Sequence, residues 1–445
     1  MNRNIIPASL LFSLFGLLAT PVYAQWEIYK FLDVGVLGTD NLRQLDSGGE
    51  VVFSVRPSVE LEFDGNRFDT DIVVGLEALR FVNEEDNILD PQFTLTTQGP
   101  LIENALFLNS SVEIGKVVSG ADVFDLTDDS DTQLRFRLNP FVARQFGQTT
   151  DFFLGYGHQS LDNDIDGSID FIENTLQFAL NRDPSTGGLI WGVGANYENQ
   201  AVDGDGFEQN FDSNSVFASL GYTVRQGTLV EVVFGREDND ITNLNAAEDS
   251  GGFVEGRVRW TPNERTSLVV GYSDRFFGEG LILSFSHRVR NSELTASATR
   301  EVGNQDLTLG EITPFAGDVD SPVPTDGGLL DGDITGRSLF VDERYSVGYK
   351  LAGRRSDFIV DAIFSDQEEI DGSETRTQFI GRAAFDRQLS SLTTVRFQYQ
   401  FLAEEDEDGS TENENRFGIR LIYNFDRKER ESILSSVLSK DDELQ

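Results

Sequence analysis

The segment Arg416-Phe417-Gly418-Ile419-Arg420-Leu421-Ile422-Tyr423-Asn424-Phe425 alternates apolar and polar residues over most of its length. Successive side chains of a β-strand point to opposite faces, so this segment predicts a strand with one apolar face and one polar face. Similar stretches recur from Trp26 to Phe425, with no helical domain between them. We therefore expect an all-β chain that forms a closed antiparallel barrel in an outer membrane.

The connections between the alternating stretches predict the number of strands. Nine short connections and ten long, acidic ones follow each other in strict alternation. Short periplasmic turns and longer outside loops are typical of outer-membrane barrels. This pattern predicts about 20 strands, within a range of 16 to 20, and places both ends of the barrel on the periplasmic side. The predicted long loops include 201–211, 303–337 and 404–412, and the predicted short turns include 98–102 and 261–263.

The alternation also assigns the two faces of each strand. We place apolar sets of one parity against lipid, because hydrocarbon offers no partner to a polar group. Such sets include Phe358 with Val360, and Phe397 with Tyr399. Aromatic residues near strand ends fit the girdles at the membrane interfaces, as for Trp26. A soluble β-sandwich or propeller is disfavoured, because no blade-length repeat is visible.

Arginines and amides of the opposite parity are the candidate pore-lining residues. They are Arg257, Arg259, Arg396, Gln398, Gln400, Arg416 and Arg420. Guanidinium groups can hold carboxylates or phosphates, and rings of charged groups set the selectivity of a pore. Alternatively, the arginines pair with inward acids such as Glu255, Asp361 and Asp386 and stiffen the wall. In either case, side chains alone should not close a 20-stranded barrel.

Composition excludes several other classes of protein. The formal charge is −41 and the pI is about 4.2, so the chain does not suit binding of nucleic-acid phosphates. Aromatic residues make up 11% of the chain, which is too many for a disordered acidic polymer. Cysteine is absent, so disulfides and thiolate metal sites are excluded.

The N-terminus predicts export from the cytoplasm. Arg3 precedes an apolar run from Ile5 to Leu18, and Val22-Tyr23-Ala24 fits a cleavage site for signal peptidase. We expect residues 1–24 to be a signal peptide, residues 25–425 to form the barrel, and residues 426–445 to form a charged periplasmic tail. The alternative, a membrane anchor, is disfavoured because the apolar run is short. The predicted location is the bacterial outer membrane, with lipid around the barrel.

One acidic segment matches a calcium-binding pattern. Residues 162–173 carry oxygen ligands at the spacing of an EF-hand loop, with Gly167 at the sharp turn. The candidate ligands are Asp162, Asp164, Asp166, Ser168, Asp170 and Glu173. The neighbours of this segment read as strands, whereas an EF-hand needs helices. Binding of Ca²⁺ here and general screening of an acidic rim by divalent cations therefore both stay open.

No catalytic signature is visible. The sequence lacks a Gly-x-Ser-x-Gly elbow, a His-Glu-x-x-His pair, a Walker loop and a dinucleotide fingerprint. Its two histidines, His158 and His287, lie on separate segments. We expect a protein that is not an enzyme and that has no cofactor, with Ca²⁺ binding at the acidic loop left open.

Short motifs resemble a known family. The residues that carry the resemblance are Trp260-Thr261-Pro262, Thr266-Ser267-Leu268, Gly271-Tyr272, Arg275-Phe276-Phe277-Gly278, Phe285-Ser286-His287-Arg288 and Asn139-Pro140-Phe141. They are similar to the outer-membrane proteins associated with PEP-CTERM systems, within the broader type-2 β-barrel porins. The resemblance covers about a third of the mature chain. It implies an outer-membrane barrel encoded beside exopolysaccharide genes, and it transfers no catalytic residues.

Two functional hypotheses follow. The first is a porin-like pore or conduit for small solutes or exopolysaccharide. The second is a non-conducting structural or adhesive surface barrel, whose acidic loops bind divalent cations and matrix polysaccharide. The loop 303–337 suits either hypothesis, because it could fold inward as a plug or stay outside.

Overall fold

The structure is a computed structural model of the 445-residue chain. It describes residues 25–40, 49–65, 67–82, 87–117, 131–147, 149–163, 170–182, 188–204, 207–225, 227–241, 250–275, 278–304, 339–369, 375–405 and 411–425. The predicted signal peptide and the charged tail lie outside these residues. So does almost all of the predicted loop 303–337. Among the described residues, no helix has the length and apolar character needed to cross a membrane.

Twenty strands make up the described chain. Their bounds are β1 Gln25–Thr39, β2 Glu50–Asp64, β3 Asp69–Phe81, β4 Asn87–Ile102, β5 Leu106–Val117, β6 Asp131–Phe146, β7 Thr150–Asn163, β8 Asp170–Arg182, β9 Leu189–Gly204, β10 Phe207–Arg225, β11 Thr228–Ile241, β12 Ser250–Asn263, β13 Thr266–Arg275, β14 Gly278–Val289, β15 Ser292–Asn304, β16 Leu339–Ala352, β17 Ser356–Glu369, β18 Thr375–Gln388, β19 Thr393–Glu405 and β20 Thr411–Asn424.

The strands form one closed antiparallel sheet. Each strand pairs with the next one along the chain, and β20 pairs with β1. The closing pairs run from Phe31 opposite Asn424 to Thr39 opposite Arg416. Closure leaves no unpaired sheet edge, which is the condition for a sheet that spans a membrane. The predicted fold class and the predicted number of strands are confirmed.

One predicted loop is wrong. Residues 201–211 were expected to form a long acidic loop, but β9 continues to Gly204 and β10 begins at Phe207. Gly204 and Phe207 are direct partners in the ladder. The glycines and aspartates of this segment indicated a loop, yet backbone pairing extends the hairpin through them. Two predicted turns, 98–102 and 261–263, likewise lie within the ends of β4 and β12.

The two faces of the barrel differ in chemistry and in exposure. Side chains on a concave inner wall converge and shield one another, whereas those on the convex outside diverge. On β19, Phe397 is 38% exposed while its neighbour Arg396 is 6% exposed. On β20, Phe417, Ile419 and Leu421 are exposed while Arg416 and Arg420, which have the opposite parity, are buried. The apolar parity therefore faces outward and the polar parity faces the interior.

The ring is wide. Twenty strands spaced about 4.8 Å apart and tilted by about 40° enclose a ring about 40 Å across between opposite backbones. Inward side chains from opposite walls cannot meet across this distance. In the described part of the chain, every residue belongs to a wall strand or lies in or beside a connection between strands, and none forms an internal domain.

Candidate functional site: the inner wall

The structure places the seven predicted pore-lining residues on inward parity. Arg257 and Arg259 follow the buried Glu255 at two-residue intervals on β12. The others lie on the adjacent strands β19 and β20: Arg396, Gln398, Gln400, Arg416 and Arg420. The seven residues therefore form two groups, one on β12 and one beside the closing strand. They do not form a continuous ring.

Most of these arginines are bound to acids on the wall. Arg396 donates to both carboxylate oxygens of Asp386, with N–O distances of 2.7 Å for Nε and for Nη2. Arg257 forms an ion pair with Glu255 on its own strand. Arg382, which is also inward, donates from Nε to Asp361 at 2.7 Å. These pairs match the alternative in which arginines stiffen the wall, and their charge is largely neutralised where it stands.

A charged network crosses the seam where the barrel closes. Arg420 on β20 donates from Nη1 to Oδ2 of Asp33 on β1 at 2.8 Å. Its Nη2 lies 3.6 Å from Oε1 of Glu77 on β3. Arg56 on β2 reaches the same Asp33 oxygen at 3.4 Å. The side chain of Arg420 is 1% exposed, so this network is buried in the wall.

The network continues to β4. Gln92 donates to Oε2 of Glu77 at 3.2 Å and to Oδ2 of Asp90 at 3.4 Å. Together with Arg420, these contacts tie β20, β1, β2, β3 and β4. A buried carboxylate is tolerated where guanidinium and amide donors surround it, as they do Glu77. The seam is therefore held by side chains as well as by backbone pairs.

Gly35 makes room for the seam network. This residue lies directly opposite Arg420 in the β1–β20 ladder. A Cβ at Gly35 would approach Oγ of Ser54 to 2.7 Å and Cγ of Arg420 to 3.1 Å. The guanidinium can thus cross β1 only because position 35 has no side chain.

A second set of contacts closes the outer end of the seam. Thr39 donates to Oε1 of Glu414 at 2.7 Å, and Arg416 forms an ion pair with the same carboxylate. The backbone and side-chain nitrogens of Asn415 each donate to Asp40 at 2.7 Å. The structure thus brings Arg416 into a structural contact at the mouth of the barrel.

Acids dominate the buried inner wall. In the described wall, buried carboxylates outnumber buried arginines nine to four. The acids lie mainly on β1 to β4 and on β11 and β12, and they include Asp33, Glu50, Glu77, Asp90, Glu237 and Glu255. Acidic linings favour cations in aqueous pores. The role of lumen arginines in selectivity stays a prediction.

Half of the calcium-like segment, residues 164–169, lies outside the described residues, including Asp164, Asp166 and Ser168. Its two described ends diverge. On β7, Gln159 shares the inward parity of the buried Leu161, and Asp162 has the outward parity. Glu173 on β8 is the direct partner of Gln159 and therefore faces inward. Asp162 and Glu173 thus point to opposite faces of the hairpin. No group of three potential metal ligands is found among the described residues.

Sequence reasoning missed several residues of the inner wall. Asp33 and Glu77 have inward parity on their strands, but their meeting with Arg420 depends on the register across four strands. Phe153 and Phe217 were not among the predicted pore-lining residues, yet both lie on the inner face. Parity could have indicated each residue separately. Their cross-strand neighbours could not be read from a single sequence.

Comparisons with known proteins give no family. No protein-family model matches the chain, and no curated protein matches it. Among solved structures, the siderophore receptor PirA from Pseudomonas aeruginosa matches with a TM-score of 0.47 and 7% identity, over 90% of this chain and 80% of that one. The FrpB iron transporter from Neisseria meningitidis matches with a TM-score of 0.47 and 8% identity, over 89% and 81%.

A loop-deletion mutant of OmpT, an outer-membrane protein of Vibrio cholerae, matches with a TM-score of 0.32 and 10% identity, over 91% of this chain and all of that one. Similarity with TM-scores below 0.5 does not indicate a shared function. The location follows from the barrel itself. A closed barrel of 20 strands with an apolar outer face belongs in the bacterial outer membrane, where lipid surrounds that face.

Proposed function

We propose that this protein is a porin-like pore for small, water-soluble solutes. The observation that carries the proposal is the polar inner face of a 20-stranded ring about 40 Å across. Barrels of 16 to 18 strands already leave an aqueous channel. In the described chain the inward side chains pair with neighbours on the same wall, as Arg396 does with Asp386, and so leave the centre to water.

We further propose that the pore prefers cations. The excess of buried carboxylates on the inner wall supports this preference. Paired arginines such as Arg396 contribute little free positive charge to a passing ion. We also propose a link to exopolysaccharide and to PEP-CTERM systems, which rests only on the resemblance of the short motifs. Deletion of the gene for this protein tests the link, because polysaccharide export should then fall.

Planar-bilayer recording of the purified full-length protein tests the pore. We expect discrete conductance steps, and in a KCl gradient a reversal potential of the sign for a cation-preferring channel. A folded barrel that conducts no ions at any voltage would overturn the proposal and favour the structural or adhesive alternative. Folding is checked separately on a gel, where the unboiled barrel should migrate differently from the boiled chain.

A further inference from the structure

A row of apolar residues crosses the inner wall from β7 to β12 along one cross-strand register. In order of direct pairing, this aromatic row consists of Phe153, Ala179, Gly194, Phe217, Gly235 and Phe253. Cross-strand partners share one face of a sheet. That face is the interior, because the sequence neighbours Val216 and Val254 are exposed on the outside, at 59% and 58%.

Two rings of the row lie over glycines of the neighbouring strand. A Cβ at Gly194 would overlap the ring of Phe217, and a Cβ at Gly235 would overlap the ring of Phe253. Each ring therefore covers the glycine next to it across the ladder. A ring that covers a glycine in this way packs against the backbone of the neighbouring strand.

The rings differ in how open they are. Phe153 and Phe217 are partly exposed to the lumen. At the outer end of the row, Phe253 is only 5% exposed, and the guanidinium carbon of Arg275 lies 4.9 Å from its ring centroid. Ile380, another inward apolar side chain, is 2% exposed, whereas Phe31 on the opposite part of the wall is partly exposed. Open phenylalanine rings in a water-filled interior are unfavourable unless a ligand uses them.

The row runs through the depth of the barrel. Phe253 is the fourth residue of β12, which begins at the outer mouth, and Phe153 is the fourth residue of β7, which begins at the periplasmic turn. Beyond Phe153, stacked rings continue to Phe141 at 5.9 Å and from there to Phe107 at 5.2 Å between centroids. Because the strands are tilted, the row connects the two ends of the lumen.

Uncharged polar side chains border the middle of the row on both sides. One register step towards the mouth are Gln177, Asn196 and Ser215, which are direct partners of one another. One step towards the periplasm are Asn181 and Ser219, on either side of Gly192. Amides and hydroxyls both donate and accept hydrogen bonds. The carboxylates beside the row lie at its two ends, Glu237 and Glu255 at the outer end and Asp151 next to Phe153 at the periplasmic end.

We propose that the aromatic row binds a neutral oligosaccharide and guides it through the pore. A pyranose ring has an apolar C–H face that stacks on an aromatic ring, and hydroxyls at its edge that match flanking amides. The uncharged middle of the row complements an uncharged ligand. The segment 305–338 of this chain suits the row less well, because it is rich in aspartate and would meet Glu237 and Glu255. The inference names a substrate class for the proposed pore and rests on it.

The test uses maltohexaose and cellohexaose as neutral probes. With the full-length protein in planar bilayers, we expect millimolar sugar to interrupt the ion current in discrete blocking events. Calorimetry on the detergent-solubilised barrel should give binding of the same sugar. The Phe153→Ala/Phe217→Ala variant should weaken both by about tenfold, since each stacked ring contributes modestly. Phe217→Tyr keeps a flat ring and should retain binding.

Controls separate this inference from the pore itself. Phe31 is an inward residue on β1, away from the row, so Phe31→Ala should leave sugar binding unchanged. The inference would be overturned, and the pore retained, by either of two results. One is an open pore to which neither sugar binds, and the other is an unaltered sugar affinity in the double alanine variant. If sugar bound only after deletion of residues 305–338, that segment and not a sugar would be the ligand of the row in the intact chain, which would also overturn the inference. Absence of ion current with intact sugar binding would overturn the pore and the passage of sugar through it, and would leave the row as a binding site.

Discussion

Arg420 of the last strand donates a hydrogen bond of 2.8 Å to Asp33 of the first strand, directly across the seam that closes the barrel. Both side chains are buried, and Glu77 lies within 3.6 Å of the same guanidinium. In a barrel of this kind, the first and last strands are neighbours in the sheet although they are distant along the chain. The buried ion pair between Arg420 and Asp33 joins these two strands.

Loss of Arg420 should destabilise the folded barrel. Arg420→Met removes the donor from two buried carboxylates, and breaking a buried pair in this way costs about 3–5 kcal/mol. We expect the variant to convert to the boiled form on a gel at a clearly lower temperature than the wild type. Arg387→Met is the matched control, because Arg387 is exposed at the periplasmic end of β18. The additional change Asp33→Asn should recover part of the loss, and its failure to do so would argue against direct coupling.

A side chain at Gly35 should act on the same seam. Gly35→Val places atoms where Arg420 and Ser54 now lie, so the guanidinium must leave its carboxylates. We expect a loss of heat resistance comparable to that of Arg420→Met and little further loss when the two changes are combined. Gly256→Ala is the control, since a Cβ there meets nothing within 4 Å. Equal effects at the two glycines would contradict this reasoning.

The two faces of β19 should respond oppositely to charge. Phe397→Arg introduces a cation on the lipid face, at a cost of about 2–4 kcal/mol near the middle of the bilayer. Gln398→Arg places the same charge on the inner face, where water can reach it. We expect assembled, heat-modifiable barrel for Gln398→Arg and much less for Phe397→Arg. Similar yields of the two variants would contradict the assigned faces.

Cysteine labelling gives an independent readout of the lumen, because the chain contains no cysteine. Gln398→Cys and Arg259→Cys should react with a small hydrophilic maleimide in whole outer membranes, since both positions have inward parity. Phe397→Cys should react far more slowly, because lipid excludes the reagent. Denatured samples, in which all three must label fully, provide the reference.

Cation preference should weaken with salt. The Debye length falls from about 10 Å at 0.1 M salt to about 3 Å at 1 M, so wall carboxylates act on fewer passing ions. Reversal potentials measured in KCl gradients at low and high concentration should show this decline. Glu231→Gln, on the inner face, should reduce the preference, whereas Asp238→Asn, on the outer face, should not. A preference for anions at low salt would contradict the proposal.

Much of the architecture could be predicted from sequence, because strand alternation and connection length are local. Phe397 and Gln398 were assigned to the correct faces from their parity alone. The predicted loop 201–211 was wrong, because backbone pairing tolerates Gly204 and the aspartates around it in a hairpin. Such pairing depends on the partner strand, and composition does not report it.

The inner wall was predictable only in part. Parity placed Arg396 and Arg420 in the interior, and Asp386 was foreseen as an acid that could neutralise an arginine. The seam network and the aromatic row required the register. Asp33 meets Arg420 only when β1 and β20 are paired in this register, and Phe153 shares a row with Phe217 only when β8 and β9 between them are also aligned. A shift of one residue in any of them would separate these partners.

The strands differ greatly in length, and this gives the barrel an uneven rim. β10 has 19 residues and β13 has 10, which correspond to about 60 Å and about 33 Å of extended chain. Some 9–11 residues suffice to cross the membrane, so β13 ends near its surface while the β9–β10 hairpin rises well above it. Among the described strands, the mouth is therefore cut obliquely. A solute that diffuses along the cell surface can enter most easily at β13 and β14, where the rim is low. Arg275 lies there, at the outer end of the aromatic row.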